Sequence, residues 1–178
     1  MSGTASTGPG RRVEVSNRHP SLRIDRRGIA RAVRVLDANH AALATRRSGM
    51  ENAHDLSLAF LTDGELALLH GRFLADPSET DVITFEGRPS LGVAGEICVS
   101  ADAAARYAGA RGADLSGELT LYLVHGWLHL AGHDDRAPAA RRAMRGAEAR
   151  ALALLRAAGA LPRFTGAKKT RARRPVRG

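Results

Sequence analysis

A chain of 178 residues with a formal charge of +9 can bury one substantial core, and its basicity points to a polyanionic partner. Its one cysteine, Cys98, excludes an internal disulfide and fits a reducing compartment. No apolar run reaches the ~18 residues of a membrane span, and the opening MSGTASTGPG lacks the apolar core of a secretion signal, so the expected location is the cytoplasm.

Residues 1–10 are Gly, Ser, Thr and Pro in the main and are expected to be disordered. One domain is expected over 11–160, followed by a basic tail over 161–178. Arg12 to Asn17 alternates Val13 and Val15 with polar residues, as a half-buried strand does. After Pro20 and Ser21 a long helical pattern places Leu22, Ile29, Val33, Leu36 and Leu43 on one face. His40 lies on or beside that helix, where a structural role outweighs a metal role. Asp55 to Thr62 alternates Leu56, Leu58 and Phe60 and reads as a second strand. Asp63 is a plausible helix cap, with Leu66, Leu69 and Phe73 following at helical spacing.

Ala75 to Ser78 reads as a loop, Thr80 to Phe85 as a third strand and Gly95 to Ser100 as a fourth. Cys98 lies in that fourth strand, as a small core residue rather than a nucleophile. Asp102 to Arg111 reads as a short alanine-rich helix. Ser116 is a candidate cap for the next helix, and Glu118 suits its positive N-terminal end. Pro138 fits a first helical turn. The helix it opens runs to about Ala158, with Met144, Ala147, Leu154 and Leu155 on its apolar side. Four strands mixed with about five helices, without a repeat, predict an α+β fold.

The chemistry concentrates in Leu119 to Asp135, LTLYLVHGWLHLAGHDD. Its apolar residues leave almost no polar face, which predicts a buried helix. His125 and His129 are spaced i, i+4, so both imidazoles share one face a turn apart. Gly132 suits the helix stop, and His133, Asp134 and Asp135 follow as further donors. Two imidazoles on one helix plus a donor after a tight turn suit a tetrahedral zinc with one open position. The residues leave the third donor open between His133 and Asp135. A zincin protease would carry glutamate directly after the first histidine; here that residue is Gly126, which argues against proteolysis.

HGWLHLAGHDD resembles the H-G-x-L-H-L-x-G-x-D-H signature of the YbeY family, metal-dependent endoribonucleases of ribosomal RNA maturation. His125, Gly126, Leu128, His129, Leu130, Gly132 and Asp134 carry the match. TDVITF from Thr80 and GEICVS from Gly95 resemble two of the family's strands, in the family's order. The resemblance spans roughly Val13 to Ala158. It implies a mixed four-stranded sheet packed with helices, and a metal at one end of a groove. It also implies a single-strand-specific endoribonuclease that matures the 3′ end of small-subunit ribosomal RNA. Ribosomal RNA and the small ribosomal subunit are the implied partners.

The motif puts its third ligand at Asp135, where the family usually has histidine. The expected set is therefore His125, His129 and Asp135 around one zinc ion, with other divalent metals open because a carboxylate suits a harder ion. No catalytic base is assigned. Asp81 and Glu96 lie in the motif strands, where capping or pairing is the plainer role. The family's groove arginine falls at Leu74, so it does not carry over; Arg72 and Arg88 are nearby substitutes. The tail cations Lys168, Lys169, Arg171, Arg173, Arg174 and Arg177 suit phosphate tracking. The departures at Leu74 and Asp135 keep two alternatives in view. One is a metal-stabilised ribosome assembly factor with little catalysis; the other is a hydrolase of a different phosphoester.

Overall fold

The computed structural model of the protein describes residues 11–45, 48, 50, 54–74 and 80–166. The segment 1–10, the loop 75–78 and the tail cations lie outside the described residues. Among the described residues six strands and six α-helices follow in the order β1 Val13–Asn17, β2 Arg23–Ile24, α1 Arg26–Ala38, α2 His40–Leu43, β3 Asp55–Leu61, α3 Asp63–Leu74, β4 Val82–Glu86, β5 Val93–Ser100, α4 Ala101–Arg111, α5 Leu115–Leu130, α6 Pro138–Ala157 and β6 Phe164–Thr165.

The main sheet has the order β1-β3-β5-β4. β1, β3 and β5 are parallel and β4 runs antiparallel to β5, which makes the expected mixed four-stranded sheet. Parallel neighbours need a long crossover, and the helices between the strands provide it. Leu56, Leu58 and Phe60 of β3 enter the large core under α1, α5 and α6. Ala59 and Leu61 point the other way, into a smaller cluster with Leu66 of α3, Ile83 and Cys98. The sheet is thus covered on both faces, and α5 lies across β4 and β5.

Two contacts fix α5. Gly126 faces the sheet so closely that a Cβ there would stand 2.5 Å from Ile97 Cγ2. The position where a zincin carries its glutamate therefore has no room for one. One residue on, the fully buried Trp127 donates its indole N–H to Asp37 of α1 at 3.1 Å. Asp37 is held in turn by the buried Arg11 at 2.9 Å. Burial raises the Asp37 carboxyl above its usual range, against the pull of Arg11 and Trp127.

Three local expectations are corrected. Leu22 is not on the long helix. Arg23–Ile24 pairs antiparallel with Phe164–Thr165, and α1 starts only where the Asp25 side chain accepts from the Gly28 N–H at 2.9 Å. Asp63 does not cap α3. Thr62 and Glu65 do so reciprocally, Thr62 Oγ1 accepting from Glu65 N–H and Glu65 Oε2 accepting from Thr62 N–H. Asp63 instead accepts from Ser100 and Arg106. Finally, Asp114 caps α5 by accepting from Gly117 N–H, because Ser116 is taken up by the Phe164 backbone. Among the described residues no helix is long and apolar enough to cross a membrane.

Candidate metal centre

One face of α5 carries Glu118, Tyr122, His125 and His129 at helical spacing. All four line a single open cavity of about 520 Å³. At one end of it the two imidazoles meet edge to face, with centroids 4.5 Å apart. Their Nε2 atoms are 3.0 Å apart.

The opposite ring nitrogens are already engaged. His125 Nδ1 is 2.7 Å from Glu148 Oε1 on α6, and His129 Nδ1 is 3.1 Å from the His133 carbonyl. Both partners are acceptors, so both Nδ1 atoms carry the proton and both Nε2 atoms present lone pairs. Two lone pairs at 3.0 Å repel unless a cation lies between them. Burial first, and then His125, lowers the pKa of His129, which keeps its imidazole neutral and its lone pair free.

The chain leaves α5 at Ala131, and Gly132 takes φ 92°, the left-handed conformation that glycine adopts without Cβ strain. That turn brings Asp135 back over the pair. One carboxylate oxygen is 3.7 Å from His125 Nε2 and the other 3.9 Å from His129 Nε2. Ligands about 2.0–2.1 Å from a tetrahedral zinc stand ~3.3 Å from one another, so the observed separations bracket what a first-row divalent ion needs. Among the described residues His125, His129 and Asp135 form the group of donors able to hold such an ion.

The other candidates are dispersed. His133 turns away, its Nε2 lying 2.7 Å from the Leu43 carbonyl. His40 contacts Ser48 and the edge of Trp127. Asp81 lines the cavity. Glu96 is exposed and sits in a different groove with Arg18 and Cys98. Arg72 and Arg88 are exposed and line no part of this cavity. The Cys98 thiol is pushed up to about 12, by burial and then by Glu96, which leaves it inert.

The sequence reading missed Glu148, Tyr107 and Arg111, which share the cavity wall. Tyr122 is hidden within the apolar run of LTLYLVHGWLHLAGHDD, and Glu118 reads as a helix-dipole charge. Nothing local marks Glu148, since it is 23 residues from His125 and one of several charges on α6. A signal did exist for Glu118 and Tyr122. Stepping back from His125 by three and seven residues along one helix face reaches both.

The family described as Endoribonuclease YbeY matches residues 15–156 of the chain. An Endoribonuclease YbeY of Chlamydia abortus is 42% identical over 110 residues, which is 57% of this chain and 70% of the relative. That of Chlamydia felis is 35% identical over 137 residues, covering 72% of this chain and 87% of the relative. The solution structure of TM1509 from Thermotoga maritima matches with a TM-score of 0.53 at 17% identity, over 83% of this chain and 94% of its own. At that identity the structural likeness speaks for the fold alone.

Proposed function

The chain belongs to the endoribonuclease YbeY family, and from that premise we propose that it cleaves single-stranded RNA with one divalent metal ion held by His125, His129 and Asp135. Family membership supports the RNA-cleaving role. The observation that carries the metal is the pair of Nε2 atoms 3.0 Å apart with Asp135 completing the triangle. Zinc suits two imidazoles and a carboxylate; manganese is the harder alternative. The test is metal analysis of the purified protein together with cleavage of single-stranded RNA before and after chelation. Chelation should abolish turnover and re-addition of one equivalent of metal should restore it.

The chain's own groups divide the work. When bound, the ion supplies Lewis acidity toward a phosphoryl oxygen and a lowered pKa for water. His125 and His129 offer neutral donors from a rigid, buried helix. Asp135 adds a carboxylate, which reduces the net charge of a divalent site by one. Glu148 fixes the tautomer and the ring plane of His125. Loss of such an outer partner typically lowers metal affinity ~10–100-fold. Glu148→Ala should fall in that range in a chelator competition, and Glu148→Gln should recover part of it through its amide oxygen.

The proposed substrate is ribosomal RNA on or from the small subunit, with maturation of its 3′ end as the reaction, in the cytoplasm. Support comes from the family and from the net charge of +9. The tail is the densest cationic segment. Deleting Lys168 to Gly178 should lower RNA affinity and flatten its salt dependence, since fewer counterions are released. An unchanged salt slope would remove the tail from the RNA interface.

A further inference from the structure

We propose that the cavity wall formed by Glu118, Tyr122, Tyr107 and Arg111 binds a guanine base of the substrate RNA, beside the metal centre. This rests on the endoribonuclease reading for the identity of the ligand, but not for the existence of the pocket. Glu118 and His125 are seven residues apart on one face of α5, so their side chains are offset by about 10 Å along the helix. At a stacked spacing of ~3.4 Å per nucleotide, that is a reach of about three nucleotides.

A nearly buried carboxylate with acceptor capacity to spare lies in this wall beside a buried tyrosine hydroxyl. The Glu118 side chain is 10% exposed, and its ion-pair contact is Arg111 at 3.9 Å, beyond hydrogen-bond range. The Tyr122 hydroxyl is buried beside that carboxylate, close enough to interact with it though outside strict hydrogen-bond geometry. Burial, then the neighbouring Asp81 and Glu118 carboxylates, push its pKa upward, so it remains a donor. A nearly buried carboxylate short of hydrogen bonds costs free energy, and a ligand that offers donors can satisfy it.

The chemistry selects the base. A carboxylate only accepts hydrogen bonds. Guanine places two donors, N1–H and the N2 amino group, side by side on its Watson–Crick edge. The acceptor O6 follows next to them. Cytosine and adenine place a lone amino donor beside a ring acceptor, which a carboxylate repels. Uracil has a single imino donor flanked by carbonyls. Single-stranded RNA is commonly read in this way, with the base stacked on an aromatic ring.

Tyr107 supplies that ring. It is 42% exposed, with the Arg111 guanidinium 5.4 Å from its centroid. Arg111, whose side chain is 64% exposed, is the cation of the cavity wall and is placed for the adjoining phosphate.

Calorimetric titration of the zinc-loaded full chain with 5′-GMP, 5′-IMP and 5′-UMP tests the pocket. The three share a phosphate, so differences report the base. GMP should bind about tenfold tighter than IMP, which lacks only the N2 amino group, as expected for a bidentate contact. Glu118→Gln should erase that preference with zinc content unchanged. Tyr107→Ala should weaken GMP, IMP and UMP alike by about tenfold, and Tyr107→Phe should not. Equal affinities in the wild-type protein, or a guanine preference that survives Glu118→Gln, would overturn the proposal. Single-stranded RNAs with one guanine replaced by inosine near the cut separate the two readings. Cleavage indifferent to the replacement overturns the guanine pocket and leaves the nuclease intact. A selective GMP site in a protein that cuts no RNA supports the pocket and overturns the nuclease.

Discussion

His125→Ala and His129→Ala should each eliminate stoichiometric metal and RNA cleavage together. Each substitution removes one of two donors that lie 3.0 Å apart on a rigid helix, and no other described histidine is placed to replace it. His133 is held by the Leu43 carbonyl and His40 by Ser48. The loss in metal affinity should exceed the ~10–100-fold typical of an outer partner. It can be read by chelator competition and by elemental analysis. The fold should survive, because both rings face the cavity rather than the core. Removal of one ring relieves the lone-pair repulsion but also removes a hydrogen bond to Glu148 or to the His133 carbonyl, so the metal-free variants should stay within about 1–3 kcal/mol of the metal-free parent. A variant that kept its full metal complement would exclude the helix pair as the site.

The legible parts of this molecule were those in which the pattern is local. The i, i+4 histidines, the apolar α5 and the glycine stop could be read because each lies within one element and its exit turn. The alternation in β3 gave both its face and its extent. Most of the failures involve partners distant in sequence; the exception is the start of α3, where the Thr62–Glu65 capping box is local and was open to reading. Arg23–Ile24 is a strand only because Phe164–Thr165 comes to meet it. Ser116 looks like a cap until the Phe164 backbone claims its hydroxyl, which leaves the capping to Asp114. Glu148 and Arg111 acquire meaning only when α4 and α6 pack against α5. A charged residue on a helix surface carries no mark of the cavity it will face. The same limit explains why the third donor could not be settled from spacing alone. His133 and Asp135 are both within reach of the turn, and which one swings inward depends on what holds the other.

Asp135→Ala should lower metal affinity severely, beyond the ~100-fold that bounds most outer-partner losses, whereas His133→Ala should retain the metal. The carboxylate of Asp135 stands over the histidine pair at 3.7 and 3.9 Å. The His133 ring points the other way, and its bond to Leu43 ties the turn to the end of α2 beside the contact from Thr45 to Gly132. What His133 gives the site is its backbone carbonyl, which accepts from His129 Nδ1, and alanine keeps that carbonyl. His133→Ala should therefore cost only about 0.5–1.5 kcal/mol of stability, the net worth of one hydrogen bond, visible as a modest fall in the unfolding midpoint. Asp135→Asn should bind metal more weakly than the parent, since the amide keeps the shape and loses the charge. Asp135→His should restore binding with three imidazoles, as in the family signature, and should raise the net charge of the occupied site by one. For the occupant of that site to be His133 instead, its ring would have to leave Leu43 and displace Asp135. Metal titration of the variants decides between the two. Tight binding by Asp135→Ala with loss in His133→Ala would place the third ligand at His133 and leave Asp135 as its acceptor.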